Sequence, residues 1–226
     1  MRVFKMTAIA AAAVALAGCK TEFSTQVALS ELQDPDVASV PGKVRLEVLT
    51  CEDYEDSRKP SDSLVEAQEM MPRIFPTASF SECYSQSMDS WAEFDIALPI
   101  DRDGDAETFA SEDAFNITTS ENLPLGVAVP PAVLNRLEQA QQANMMMGEL
   151  EYAITVDVVN DTGEPFAVTA LSTWVNGEPA TLQPLEVPDS ETISLRFSDV
   201  LIERAITTGE ATVLVDLAYL GEQLRK

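Results

Sequence analysis

The chain has 226 residues, with 38 acidic side chains against 14 basic ones, no histidine, and a formal net charge of −24. An apolar fraction of 46% is enough for a buried core and excludes a disordered chain; the length suits one sizeable core or two small ones. A field of this sign repels phosphate, which excludes nucleic acid as a partner and disfavours anionic lipid headgroups.

The first element is a leader. Arg2 and Lys5 precede an uninterrupted run of apolar or small residues from Thr7 to Leu16, the layout of a secretory signal peptide. That run is too short to span the ~30 Å of hydrocarbon that needs about 20 residues, and no later stretch is long and apolar enough either. At Leu16-Ala17-Gly18-Cys19 the chain resembles the bacterial lipoprotein precursors. The resemblance implies cleavage before Cys19, a diacylglycerol thioether on its sulfur and an acyl group on its new amine. More than one chain is what stable anchoring needs. The lipid on Cys19 is then the one covalent group, and no cofactor is expected beside it. Lys20 follows Cys19 where inner-membrane retention would need Asp, so the resemblance implies the periplasmic side of the outer membrane, with the inner membrane as the lesser alternative. The expected organisation is a signal peptide over 1–18, a lipidated tether over 19–25 and a periplasmic domain over 26–226, with 26–129 and 130–226 as a candidate division into subdomains.

Along that domain, Gln26 to Ser30 reads as a short strand and 33–42 as a loop. Lys43 to Thr50 alternates, with Val44, Leu46 and Val48 on one face, and reads as a half-buried strand. Ser61 or Ser63 caps a helix whose apolar positions are Leu64, Ala67, Met71, Ile74 and Phe75; Pro72 should kink or stop it near Met71. Strands follow over 78–84, 91–98, 115–119 and 125–129. Pro130-Pro131 opens a helix over Ala132–Met147. Leu134, Leu137, Gln141 and Asn144 form one stripe of it, and Gly148 is its terminator. Strands at 150–160 and 166–175 precede Asn176-Gly177, a strong hairpin signal. A strand at 192–197 leads to a helix over 199–208, capped by Ser198 and closed by Gly209, and 211–220 reads as the last strand. The sum is an α+β chain, mainly antiparallel sheet with about three helices.

With Cys19 lipidated, Cys51 and Cys83 remain as an even pair in an oxidising compartment, which predicts a disulfide. Its closed loop would be worth ~3.7 kcal/mol in the chain-entropy account. Metal ligation fits less well, because two cysteines without histidine make an incomplete zinc site. Across this half of the chain a second resemblance enters. Asp56-Ser57-Arg58-Lys59, Phe75-Pro76, Cys83 and Asp89-Ser90-Trp91 look like lipoproteins of bacterial and prophage genomes, a group with no catalytic motif to carry over.

Four constellations invite a functional reading. Asp101, Asp103, Asp105 and Glu112 hold the first, third, fifth and twelfth places of an EF-hand-like loop. Ala106 stands where the turn needs glycine, so a solvated acidic loop is the expectation and calcium the alternative. Glu52, Asp53, Glu55 and Asp56 could receive a cation but, beside Arg58 and Lys59, read as a wet turn. Met145-Met146-Met147 could line an adaptable surface, though packing at a helix end is the simpler role. Trp91 and Trp174 lie in strands and are expected in the core. No Gly-x-Ser-x-Gly elbow or phosphate loop is present, which leaves carboxylate chemistry as the sole catalytic route.

The leading expectation is therefore a membrane-anchored periplasmic lipoprotein that acts by binding, with an envelope protein as partner. A prophage-encoded exclusion or fitness factor is one version of it. The alternatives are a calcium-binding or calcium-stabilised envelope module and a carboxylate-dependent glycan hydrolase.

Overall fold

The computed structural model describes residues 20–102, 109–143, 151–223 and 225. In chain order the elements are β1 (Lys20–Ala28), α1 (Leu29–Gln33), β2 (Ser39–Val48), α2 (Asp62–Ile74), β3 (Ser79–Gln86) and β4 (Asp89–Asp101). Then come β5 (Asn116–Thr118), β6 (Leu125–Ala128), α3 (Pro131–Ala143), β7 (Glu151–Val159) and β8 (Phe166–Val175). β9 (Glu178–Val187), β10 (Thr192–Phe197), α4 (Asp199–Thr208), β11 (Glu210–Val215) and α5 (Leu217–Gln223) complete the chain.

Nine of these strands close into a barrel in the order β10-β7-β1-β2-β4-β5-β6-β11-β8, and β10 pairs with β8 to complete the ring. β3 extends the wall beside β4, and β9 beside β8. This corrects the α+β expectation: the fold is mainly β, a closed barrel rather than an α+β chain of antiparallel sheet with about three helices. Strand periodicity shows which residues face inward but not which strand lies beside which. The ring depends on two parallel pairings, β1 with β7 and β4 with β5, and parallel neighbours are remote in sequence. Closure removes the free edges that an open sheet would expose.

The stretch over 19–25 reads as a tether by composition, yet from Lys20 to Ala28 the chain is strand throughout. Thr21, Phe23, Thr25 and Val27 point inward, and the strand is paired on both sides. Lys20, Glu22 and Ser24 occupy its other face and two of the inward residues are threonines, which is why composition alone reads as a tether. Strands from 26–129 and from 130–226 neighbour one another in the ring at β1–β7 and β6–β11, so one core serves both halves.

The interior is apolar. Val27, Val44, Ala92, Phe94, Leu195, Ala170, Val213 and Leu214 are fully buried. Gly42 faces inward on β2 where a Cβ would lie 2.6 Å from Leu98 Cδ1, so any larger residue there must displace the Leu98 side chain.

The local signals in the sequence act as expected in several places. The Ser61 hydroxyl accepts the Leu64 N–H at 3.1 Å and caps α2; Ser198 does the same for α4 through Leu201 at 3.3 Å. Gly209 ends α4 in the left-handed conformation, φ 83°. Asn176 and Gly177, φ 51° and 85°, turn β8 into β9. Pro72 does not stop α2, which runs on to Ile74 with the Phe75 N–H bonded to the Met71 carbonyl at 2.8 Å. The last expected strand is shorter: Leu217 and Tyr219 belong to α5.

The two ends of the barrel are unequally furnished. At one of them β1, β4 and β7 start, and β2, β3 and β10 finish. The three longest helices attach to that same end: α2 follows β2, α3 precedes β7 and α4 follows β10. α2 buries Leu64, Ala67, Met71 and Ile74. At its end the Phe75 ring lies 5.7 Å from that of Phe23 and 5.5 Å from that of Phe115, and Phe23 and Phe115 are 4.6 Å apart.

Candidate functional site

Cys51 and Cys83 are bonded, with Cα atoms 5.7 Å apart. The bond ties the chain leaving β2 to β3. It holds the acidic run between them, two of whose carboxylates are used internally. The Asp53 carboxylate accepts the N–H groups of Glu55 and Asp56 at 3.0 and 2.9 Å. Asp56 receives the Arg58 guanidinium at 2.8 and 3.0 Å, and that guanidinium holds its carboxyl below the usual carboxylate range. Asp53 and Asp56 thus make the run a turn held by its own side chains.

Cys19 lies outside the described residues, as do Asp103, Asp105 and Met145 to Met147. Of the expected calcium loop, Asp101 is buried at the end of β4, and its carbonyl accepts the Thr119 N–H at 2.9 Å; Glu112 is exposed, and its carbonyl accepts from Arg136 at 2.6 Å. Among the described residues no group of three or more His, Cys, Asp or Glu is placed to hold a metal ion. Trp91 is buried as expected, but it packs on the outer face of β4. Trp174 is 43% exposed, which corrects its assignment to the core.

That outer face of β1, β2, β3 and β4 carries a cluster that sequence reading passes over. Arg45 meets Glu22 at 2.6 Å and the Tyr84 hydroxyl at 3.1 Å, and lies 5.8 Å from the centre of the Trp91 ring. Beside it Lys43 is bonded to the buried Glu93, whose carboxylate raises the Lys43 pKa. The register explains the assembly: Arg45 opposes Glu22 on one side and Glu93 on the other, and Tyr84 opposes Trp91. The cations face carboxylates across the strands, so the cluster holds the wall together.

A site with room for a ligand is at the helix-bearing end. A cavity of about 820 Å³ opens between α3, α4 and the first residues of β1 and β7. Its floor is apolar: Phe23, Phe115, Val129, Tyr152 and Ile154 come from the barrel, and Leu134, Leu137, Ile202, Ala205 and Ile206 from the two helices. Helical spacing does this, because Leu134 and Leu137 lie three apart on α3, and Ile202 and Ile206 four apart on α4. Tyr152 lies beside Phe23, ring centres 6.5 Å apart, and burial pushes its phenol up to about 12. A phenol so placed stays a neutral hydrogen-bonding group at any physiological pH.

The rim is charged and unequal. Among the described residues five carboxylates line the cavity, those of Glu22, Glu138, Glu151, Asp199 and Glu203, against two cations, Lys20 and Arg196. Glu22 is neutralised by Arg45, whereas among the described residues Glu138, Glu151 and Asp199 have no ion-pair partner. Among the described residues the lining contains no serine, cysteine or histidine. An apolar floor under an acidic rim is complementary to a molecule with an apolar body and a cationic head. Sequence reading puts Leu134, Leu137 and Gln141 on one stripe but assigns no role to it; the acidic residues bordering that stripe are the available signal.

No curated protein and no solved structure matches the chain. A family described as a domain of unknown function, DUF7424, matches residues 21–217, which takes in every barrel strand but for the first residue of β1, and both helices at the cavity. The chain belongs to the DUF7424 family.

Proposed function

We propose that this protein is a lipid-anchored binding protein of the bacterial cell envelope, and that its ligand is an amphiphile with an apolar body and a cationic head. The observation that carries the binding reading is the cavity: about 820 Å³, within the ~300–1,000 Å³ range of small-molecule sites, with an apolar floor and unpaired carboxylates at the rim. Sequence alone favours an envelope protein as partner; the size and shape of the cavity favour the smaller ligand. The address rests on the leader and on Leu16-Ala17-Gly18-Cys19, and predicts an acylated Cys19 at the mature N-terminus. Mass spectrometry of that terminus tests it, and a product beginning elsewhere or a Cys19→Ser protein that still fractionates with membranes would reject it.

The binding reading is tested with dodecylammonium and dodecanoate as matched probes. The amine should bind saturably and the carboxylate should not. Glu138→Gln and Asp199→Asn should each weaken the amine several-fold, since a partly exposed ion pair is worth about 1 kcal/mol or less. Equal binding of the two probes would reject a cation-selective site. Glycan hydrolysis by the rim carboxylates is the competing reading, because such chemistry needs two carboxylates flanking one bond. Turnover of cell-wall glycan that is lost in Glu138→Gln would replace binding with catalysis.

A further inference from the structure

An apolar corner stands at the end of the barrel where β1 begins. Leu49, one residue past β2, is 88% exposed, and Met88, in the turn between β3 and β4, is 99% exposed. The register places them at the same corner. Val48 lies opposite Ser90, and Gln86 opposite Asp89, so Leu49 and Met88 both lie just past the paired ends of neighbouring strands. Tyr54, in the loop that the Cys51–Cys83 bond holds against this corner, is also fully exposed.

Lys20 starts β1 at the same place. Its backbone N–H donates to Glu47 Oε2 at 3.3 Å, and its ammonium lies 3.5 Å from Asp89. Cys19 is bonded to Lys20, and consecutive Cα atoms are ~3.8 Å apart. Because the barrel wall begins at Lys20, no tether separates it from the residue that would carry the lipid.

We infer that Leu49 and Met88 enter the lipid leaflet that holds Cys19, so that the barrel rests on the membrane by this corner. The inference depends on the lipid-anchor part of the proposed function. The anchor holds the corner within a side chain's length of the headgroups, where two flexible apolar side chains gain by leaving water. The surrounding Glu47, Asp89 and the acidic turn at 52–56 make a zwitterionic surface the host and an anionic one a poor one. The resting position also turns the cavity end toward the leaflet, because the cavity lining includes Lys20 and Glu22.

The test uses full-length protein, processed in cells and checked by mass for lipid on Cys19, in vesicles of phosphatidylcholine and phosphatidylethanolamine. Leu49→Cys, Met88→Cys and Leu182→Cys each carry an environment-sensitive fluorophore; Leu182 is 54% exposed and lies on β9, outside the ring and several strands from β2 and β4. The probes at 49 and 88 should shift to the blue and be quenched by nitroxide-bearing lipid, while the probe at 182 should do neither. Adding phosphatidylglycerol should reduce the quenching at 49 and 88. If lipid is present on Cys19 and the probe at 49 is as water-exposed as that at 182, the corner inference is wrong and the anchor stands. If Cys19 carries no lipid, both fall.

Discussion

The outer wall around Arg45 and the mouth between α3 and α4 are built from the same kinds of residue and end up opposite in character. On the wall, Arg45 has Glu22, Tyr84 and Trp91, and Lys43 has Glu93; charge is consumed by structure. At the mouth, Glu138, Glu151 and Asp199 border an apolar floor without a cation of their own among the described residues. In a chain of net charge −24, carboxylates alone say nothing. What distinguishes a site is a carboxylate left unpaired above apolar surface that would gain from being covered.

The comparison can be broken or sharpened at several points. The largest effect is expected beneath the cavity, at Phe75, which is 1% exposed and touches Phe23 and Phe115. Phe75→Ala should cost about 3–5 kcal/mol, read as a lower denaturant midpoint. A loss under about 1 kcal/mol would mean that the aromatic cluster does not hold α2 to the barrel. Next is the Cys51–Cys83 bond. Replacing both residues with alanine should cost ~3.7 kcal/mol on the chain-entropy account and leave amphiphile binding intact, since neither cysteine lines the cavity. Coupled loss of binding would mean that the wall and the mouth are one unit.

A smaller effect belongs to Tyr152. Of the four tyrosines, this one should ionise near 12 in an ultraviolet titration. Its folded pKa is raised above the unfolded value of about 10, so its contribution to stability is fully present below pH 10 and is lost as pH rises through 12. A Tyr152 phenol that ionises near 10 would lie in water rather than at the cavity floor. The smallest effect, none, is expected from calcium. Melting in millimolar calcium and in chelator should coincide, whereas a filled site at 100 times its dissociation constant would add about 2.7 kcal/mol, a shift of several degrees. A shift abolished by Asp103→Asn would establish a metal loop after all.

Local chemistry is legible in the sequence, and closure is not. Ser61, Ser198 and Gly209 mark helix ends, and Asn176-Gly177 marks a turn, because each depends on neighbours a few residues away. The disulfide is legible from cysteine count and compartment. The barrel is not, because β1 pairs with β7 in parallel and β10 with β8; an alternating strand looks the same beside either partner. The cavity stays hidden for the same reason, since its lining comes from β1, α3, β7, β10 and α4. Lys20 to Thr25 shows the limit most plainly: half its side chains are polar and face outward, yet the other half point into the core.

The central claim is that the ligand occupies the space between α3 and α4, and Leu137→Trp tests it most directly. Leu137 is nearly buried at the cavity floor, and an indole there would fill the space that the ligand needs. Calorimetric titration with dodecylammonium should show one saturable site in the unaltered protein. It should show none in Leu137→Trp, with an unchanged melting temperature showing that the fold survives. Binding of unchanged strength and stoichiometry in a folded Leu137→Trp protein would contradict the account.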